Sequence, residues 1–569
     1  MPYRVLCVPV LALTLGAATA TAATAAQVPA VARAGERVET PVAGSSPITD
    51  VNESVVRVRA PLPASAGPRP EACDWLSYLR FRHKDGPAGS ADADRIMVAQ
   101  PGVLEGAGAF DGVARNTIVE AAKKGRHVEF WALDRRSNCL EDGTGVRAGL
   151  AARDAHLAVD YYYRNKEVEG RRFAGYLGND QVGFLQNVGL EQTVRDQYDL
   201  LARELPDQAV RKRKVLCGGH SLGGILTGYF AQWDFDGNRS TTSDAGYNQC
   251  SGYFALDTRI STSLPGMDGQ VPTELVPLIR FGAQAVKIGL EYGVIPRTLS
   301  GPALINSETM NLLSIAGLAA RLSPTGRSDL ATYIPSSFNT DTTYRLLFSK
   351  DYPTFLKGSP TVKDFGFTNA AALGGLLDDN SEPLAFLQTS VGFFDGGRIV
   401  DKEFPLPNEL SGGLGSLLGT EKKAIPDEPN GPLYSWRNYD DVGGLPHRSK
   451  DGKPFTTPAK EVTDIAQLAR SLSEHPLDFT EHYFPTKLVT DIALAASPGI
   501  ADDAVHSGGI KANPTLNLEA GDGLGARNPQ PGDVIAPGYQ HLDVLTASPV
   551  QNNGKPEPIS LNLATFATH

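Results

Sequence analysis

The chain has no surplus of positive charge. Its 53 lysines and arginines face 64 aspartates and glutamates, giving a net charge of -11 and a pI near 5.5. That balance argues against a nucleic-acid partner and says nothing about a substrate. Long apolar runs are missing beyond the N-terminus, which leaves no transmembrane segment in a mature chain. There is no internal repeat. Metal-ligand patterns are incomplete: Asp234-Phe235-Asp236-Gly237-Asn238 begins like a calcium loop but has no glutamate at the twelfth position, so it reads as a capped surface turn and no metal is assigned. Cysteine is scarce, at five in 569 residues.

At the N-terminus, residues 1–4 carry an arginine, residues 5–18 are apolar, and small residues run on to Ala26. An apolar stretch of about 14 residues is short of the ~20 needed to span a bilayer and fits a cleaved secretory signal over 1–26. Cys7 lies inside that stretch, so it is not read as a lipid-attachment site. The expected location is secreted, periplasmic or extracellular. Four cysteines then remain: Cys73, Cys139, Cys217 and Cys250. An even number in an exported chain suggests two disulfides, and the strand positions favour Cys73 with Cys139 and Cys217 with Cys250, although four cysteines allow three connectivities.

Residues 27–50 read as a flexible leader rich in alanine, proline and valine. Period-two alternation over 54–58 and 75–83 predicts an antiparallel pair, and the apolar runs 95–99, 127–133, 213–216 and 250–256 predict buried strands separated by helical spacing over 107–124, 147–163 and 183–205. Strand and helix in alternation imply a mostly parallel sheet with helices on both faces. The rhythm stops at 258 and resumes with strands at 513–518 and 534–537. Between them, helical spacing at 273–292, 307–322, 462–473 and 487–496 alternates with loops rich in glycine, proline and aspartate, which predicts a large inserted segment over 258–511. The core is then split into 51–257 and 512–569.

The densest chemical signal is Val215-Leu216-Cys217-Gly218-Gly219-His220-Ser221-Leu222-Gly223-Gly224. A strand runs into a glycine-crowded turn and then a helix, and Gly219 to Gly223 fit G-x-S-x-G, where small neighbours allow a serine to be held out on a sharp turn. The extended wording GGHSLGG resembles the α/β-hydrolase superfamily over perhaps half of the chain. That resemblance implies an eight-stranded, mostly parallel sheet, with the insertion forming a mainly helical cap between strands 6 and 7.

The resemblance also implies a Ser-acid-His order along the chain, with Ser221 as nucleophile. His541, in Gly538-Tyr539-Gln540-His541-Leu542-Asp543, is similar to the His-Leu-Asp wording of the acid-lipase branch and is the expected base. Asp522, in a Gly-Asp-Gly turn 19 residues earlier, is the preferred acid, with Asp257 the alternative and Glu519 third. The oxyanion donors implied are the backbone N-H groups of Leu222 and of Val103, with Leu104 as rival to Val103. Pro101 stands where relatives usually carry histidine, in Gln100-Pro101-Gly102-Val103. Such a site needs no cofactor.

Three functions stay open: a secreted esterase or lipase-like enzyme acting on a small-molecule or lipid ester, an exopeptidase or amidase of the capped proline-iminopeptidase-like type, and a catalytically inactive hydrolase-fold binding protein. Oligomeric state cannot be read from the sequence.

Overall fold

In the computed structural model the described residues are 36–263, 288–290, 292–301, 305–404, 423–495, 499–524 and 529–569. The expected signal over 1–26 and the first part of the expected helix at 273–292 lie outside them.

Nine strands form one sheet: β1 (Arg37–Pro41), β2 (Val51–Arg59), β3 (Trp75–His83), β4 (Arg95–Gln100), β5 (Val128–Asp134), β6 (Val215–His220), β7 (Gly252–Leu256), β8 (Thr515–Ala520) and β9 (Val534–Ala536). Their spatial order is β1-β2-β3-β5-β4-β6-β7-β8-β9. The first three strands and β5 are joined by antiparallel pairings, and every pairing from β5 through β4 to β9 is parallel. The sheet therefore has one strand more than the eight expected. The extra strand, Arg37–Pro41, falls inside the expected leader and pairs with β2 from Arg37↔Val58 to Pro41↔Ser54.

The central strands are apolar in near-continuous runs because helices cover both faces. β4, β6 and β7 are buried along almost their whole length. On one face, Phe110, Phe130 and Phe254 pack with the helix Asp111–Lys123; on the other, Val98, Cys217 and Tyr253 pack with Leu226 and Phe230 of the helix Leu222–Gln232.

Two disulfides, Cys73–Cys139 and Cys217–Cys250, have the expected pairing. The first links the turns before β3 and after β5; the second links β6 to Cys250, two residues before β7.

The long segment between β7 and β8 is helical in Ser307–Leu322, Phe338–Phe348, Asn369–Leu377, Ile465–Glu474 and Thr486–Ala493, and it also carries strands of its own. Leu433–Asn438 lies between Gly366–Phe367 and Gly392–Asp395 in a three-stranded sheet. The segment packs directly on the core: Gly106 and Gly108 donate their N-H groups to the carbonyls of Phe479 (2.9 Å) and Asp478 (3.0 Å), and Glu481 N donates to Leu104 O (2.8 Å). Among the described residues no helix is long and apolar enough to cross a membrane.

Candidate active site

Ser221 directly follows β6 and directly precedes the helix Leu222–Gln232, with φ 53° and ψ -117°. A side chain in that conformation is strained, and such strain persists only where surrounding structure enforces it. The glycines of the motif permit the close packing that does so. A Cβ on Gly219 would lie 2.4 Å from Gln100 O, and one on Gly223 would lie 2.1 Å from the same oxygen. β4 can thus lie this close to β6 and to the helix that follows only with glycine at both places. Ser221 is half-buried while His220 and Leu222 are buried. Its backbone is fixed by Ser221 N donating to Leu256 O and Gly224 N donating to Ser221 O, both at 3.1 Å.

Two other non-glycine residues with positive φ stand at the ends of neighbouring strands: Leu104 (61°) after β4 and Asp257 (44°) after β7. Three strained positions therefore line the same edge of the sheet, where the parallel strands end and α/β proteins gather their working loops.

Asp257 is the carboxylate in contact with His541. Its Oδ2 lies 2.5 Å from His541 Nδ1, and both side chains are essentially inaccessible to solvent. Asp257 also accepts N-H bonds from Ala520 (3.1 Å) and Leu524 (2.9 Å). Burial pushes its carboxyl up, but the bond to His541 and the donated N-H groups outweigh burial and hold it below the ordinary carboxylate value.

The carboxylate against His541 is thus that of Asp257, the alternative, and not that of the preferred Asp522. The Gly-Asp-Gly turn does reach the site, but it contributes backbone donors that flank Asp522 and leaves room for another residue's carboxylate: a Cβ on Gly523 would meet Asp257 Oδ2 at 2.4 Å. Asp522 itself donates its backbone N-H to Tyr539 O (2.9 Å). Glu519, the third candidate, is buried 3.4 Å from Arg259 and is pushed up to about 7, chiefly by burial and then by Asp257.

With Nδ1 turned to Asp257, the lone pair of a neutral His541 sits on Nε2. Burial, and after it the positive His220 ring, hold His541 below the ordinary imidazole value against the pull of Asp257.

His220 and Glu105 form a buried ion pair that the sequence did not single out. His220 Nδ1 is 2.5 Å from Glu105 Oε1, and His220 Nε2 donates to His541 O (2.9 Å). Both ring nitrogens face acceptors, which favours the imidazolium. Burial disfavours that charge, but Glu105 outweighs it and raises His220; His220, with Gly102 N-H, lowers Glu105 against its own burial. The His220 and His541 rings lie 4.3 Å apart between centroids. No spacing rule links residues 105 and 220. The only available signal was that each adjoins a motif residue, Glu105 three places after Gly102 and His220 beside Ser221.

The loop after β4 is held from two sides. Gly102 N donates to Glu105 Oε2 (2.5 Å), and Arg135 donates to the carbonyls of Pro101 (2.8 Å) and Gly102 while pairing with Glu481 at 2.6 Å. Pro101 has no N-H and that of Gly102 is engaged, so Val103 offers the next backbone donor along the loop. Leu222 is the first residue of its helix, where backbone N-H groups have no partner inside the helix. Cavities of about 740 Å³ and 170 Å³ lie elsewhere, lined by residues such as Glu39 and Arg82 in the first and Leu312 and Phe348 in the second. Ser221 is not among their linings.

No protein-family model and no curated protein matches the chain. Among solved structures, the peroxisomal alpha-beta-hydrolase Lpx1 from Saccharomyces cerevisiae is similar over 41% of this chain and 52% of its own, at 14% identity and a TM-score of 0.20. The chain spans about half the length of that structure. At that level of likeness the chemistry has to be read from the chain's own geometry.

Proposed function

We propose that the chain is an α/β-hydrolase-type serine hydrolase that cleaves carboxylic esters through Ser221, His541 and Asp257, with the segment 258–511 acting as a cap. The observation that carries this reading is the Asp257 Oδ2 to His541 Nδ1 contact of 2.5 Å, with the His541 ring 4.3 Å from that of His220, the residue before a serine held at φ 53°. A serine hydroxyl is a weak nucleophile until a base takes its proton, and an imidazole is a useful base when a carboxylate fixes its tautomer.

In this mechanism Ser221 Oγ attacks the substrate carbonyl and passes its proton to His541 Nε2. Asp257 stabilises the imidazolium that forms. The N-H groups of Leu222 and Val103 receive the oxyanion, and His541 returns the proton to the departing alcohol. Water, deprotonated by His541, then releases the acid from Ser221. The two disulfides and the N-terminal pattern support export.

One observation favours the exopeptidase or amidase reading. Glu141 and Asp478 are half-buried carboxylates near the loop after β4, and both are raised, first by burial, with Asp478 adding to Glu141 by repulsion. Carboxylates in such a place could hold the amino group of a peptide substrate.

The test is labelling with a fluorophosphonate probe. Wild type reacts and folded Ser221→Ala does not; retained labelling of the variant removes Ser221 as nucleophile, and an inert wild type favours a non-catalytic binding protein. Hydrolysis of p-nitrophenyl esters set against aminoacyl naphthylamides separates esterase from exopeptidase.

A further inference from the structure

The turn that follows the helix Leu222–Gln232 gathers acidic side chains away from the site described above. Asp234, Asp236 and Asp244 each offer a carboxylate oxygen, and these three atoms lie within 4.8 Å of one another. Calcium takes carboxylate oxygens at about 2.3–2.6 Å, and oxygens this close together can converge on one ion with small side-chain adjustments.

A cluster of surface acids alone would mean little, because water and mobile cations solvate it. Here Asp234 is 2% exposed, and its Oδ1 is buried with no hydrogen-bond partner. A buried, unsatisfied carboxylate oxygen costs several kcal/mol unless a cation or a proton meets it. Among the described residues no lysine, arginine or histidine forms a salt bridge with Asp234, Asp236 or Asp244. Arg195 donates to the backbone carbonyl of Phe235 (3.4 Å).

The rest of the turn is already arranged around the cluster. Asp244 Oδ2 accepts the N-H groups of Phe235 and Asp236 (both 2.8 Å), and Asp236 accepts Asn238 N (2.7 Å) and Thr241 Oγ1 (2.6 Å). These bonds close the loop and bring residue 244 back to 234. The sequence pattern had lacked this ligand, because the acid falls at the eleventh position and not the twelfth. Another such group, Glu53, Asp111 and His475, is different, since Arg115 and Arg470 already neutralise it.

We propose that Asp234, Asp236 and Asp244 form a calcium-binding site that locks the end of the helix carrying Ser221 at its start. Asp234 N donates to Asp503 O (2.8 Å), so an ion here would also fasten that helix end to the chain leading into β8.

Terbium provides the probe, because Trp233 is buried one residue from Asp234 and can sensitise its emission. The full chain, stripped with chelator, is expected to show saturable terbium luminescence on indole excitation, displaced by calcium, and a higher Tm with calcium than with chelator. Asp234→Asn and Asp244→Asn should weaken binding by about tenfold or more, since ligand charge sets affinity in such sites. If these variants do not fold cooperatively, the exposed Asp236→Asn replaces them and is expected to show the same loss. Absence of saturable binding by the wild type, or unchanged calcium affinity in a folded variant, overturns the proposal.

Discussion

Asp257 holds the imidazole of His541, and that bond sets the prediction for it apart from that for Asp522. Asp257→Asn should keep the fold and lower kcat by roughly 10³ to 10⁴, because an asparagine leaves His541 in the wrong tautomer. Asp522→Asn should stay within roughly tenfold of wild type, since what this stretch gives Asp257 is the backbone N-H groups of Ala520 and Leu524. A steady-state ester assay on both variants decides between the two acids. His220 gives a second residue-level prediction. Its positive ring helps depress His541, so His220→Gln should raise the His541 pKa and move the acid limb of kcat/KM to higher pH. The stability that His220 draws from Glu105 has a defined window. A raised folded pKa means the contribution is complete below about 6.5 and disappears as pH rises through the folded value, while the lowered Glu105 removes it at the acid end. Urea unfolding of wild type and His220→Gln should therefore converge at alkaline pH.

At the level of elements, the strand-turn-helix around Ser221 was legible because each part has a local cause. Val215–His220 is an apolar run, Gly219 and Gly223 are the residues that Gln100 O can approach, and Leu222–Gln232 is apolar enough to be buried all round. The helix Ser307–Leu322 was equally plain from its spacing. β1 was not. Arg-Val-Glu-Thr-Pro is mostly exposed, and its strand state comes from pairing with β2. The Cys217–Cys250 bridge pins β6 to the start of β7 across a separation of 33 residues. Loop-closure entropy for such a ring is about 4 kcal/mol, so the paired Cys217→Ala and Cys250→Ala replacement should cost about 2–4 kcal/mol in urea unfolding.

Across the whole molecule, the segment between β7 and β8 is bound to the sheet and its helices by buried charge. Asp111, on the helix after β4, accepts Arg115 Nε (2.6 Å) and Arg470 Nη2, Arg115 donates to Glu53 on β2 (2.5 Å), and His475 Nδ1 lies 2.7 Å from Glu53. Removing one member leaves the others buried and uncompensated, so Asp111→Ala should lower stability by about 3–5 kcal/mol in a thermal or urea melt. Burial opposes ionisation of Asp111, but the cations around it, Arg470 first, hold it well below the ordinary carboxylate range. Its stabilisation is present above about 3.8 and is lost as pH falls through the folded value, so Asp111→Ala and wild type should approach each other in strong acid.

What the sequence determined by itself was local: which runs become strand or helix and which serine sits on a strained turn. These follow from periodicity, glycine placement and strand order, all properties of short stretches. Only the tertiary structure decided which carboxylate meets His541, that Glu105 reaches His220, and that Asp244 returns to Asp234. Each joins residues whose separation is set by how strands line up at the sheet edge or how a loop closes. Asp257 and Asp522 end adjacent parallel strands, and no one-dimensional pattern distinguishes the one that points its oxygen at the ring from the one whose turn supplies the N-H groups.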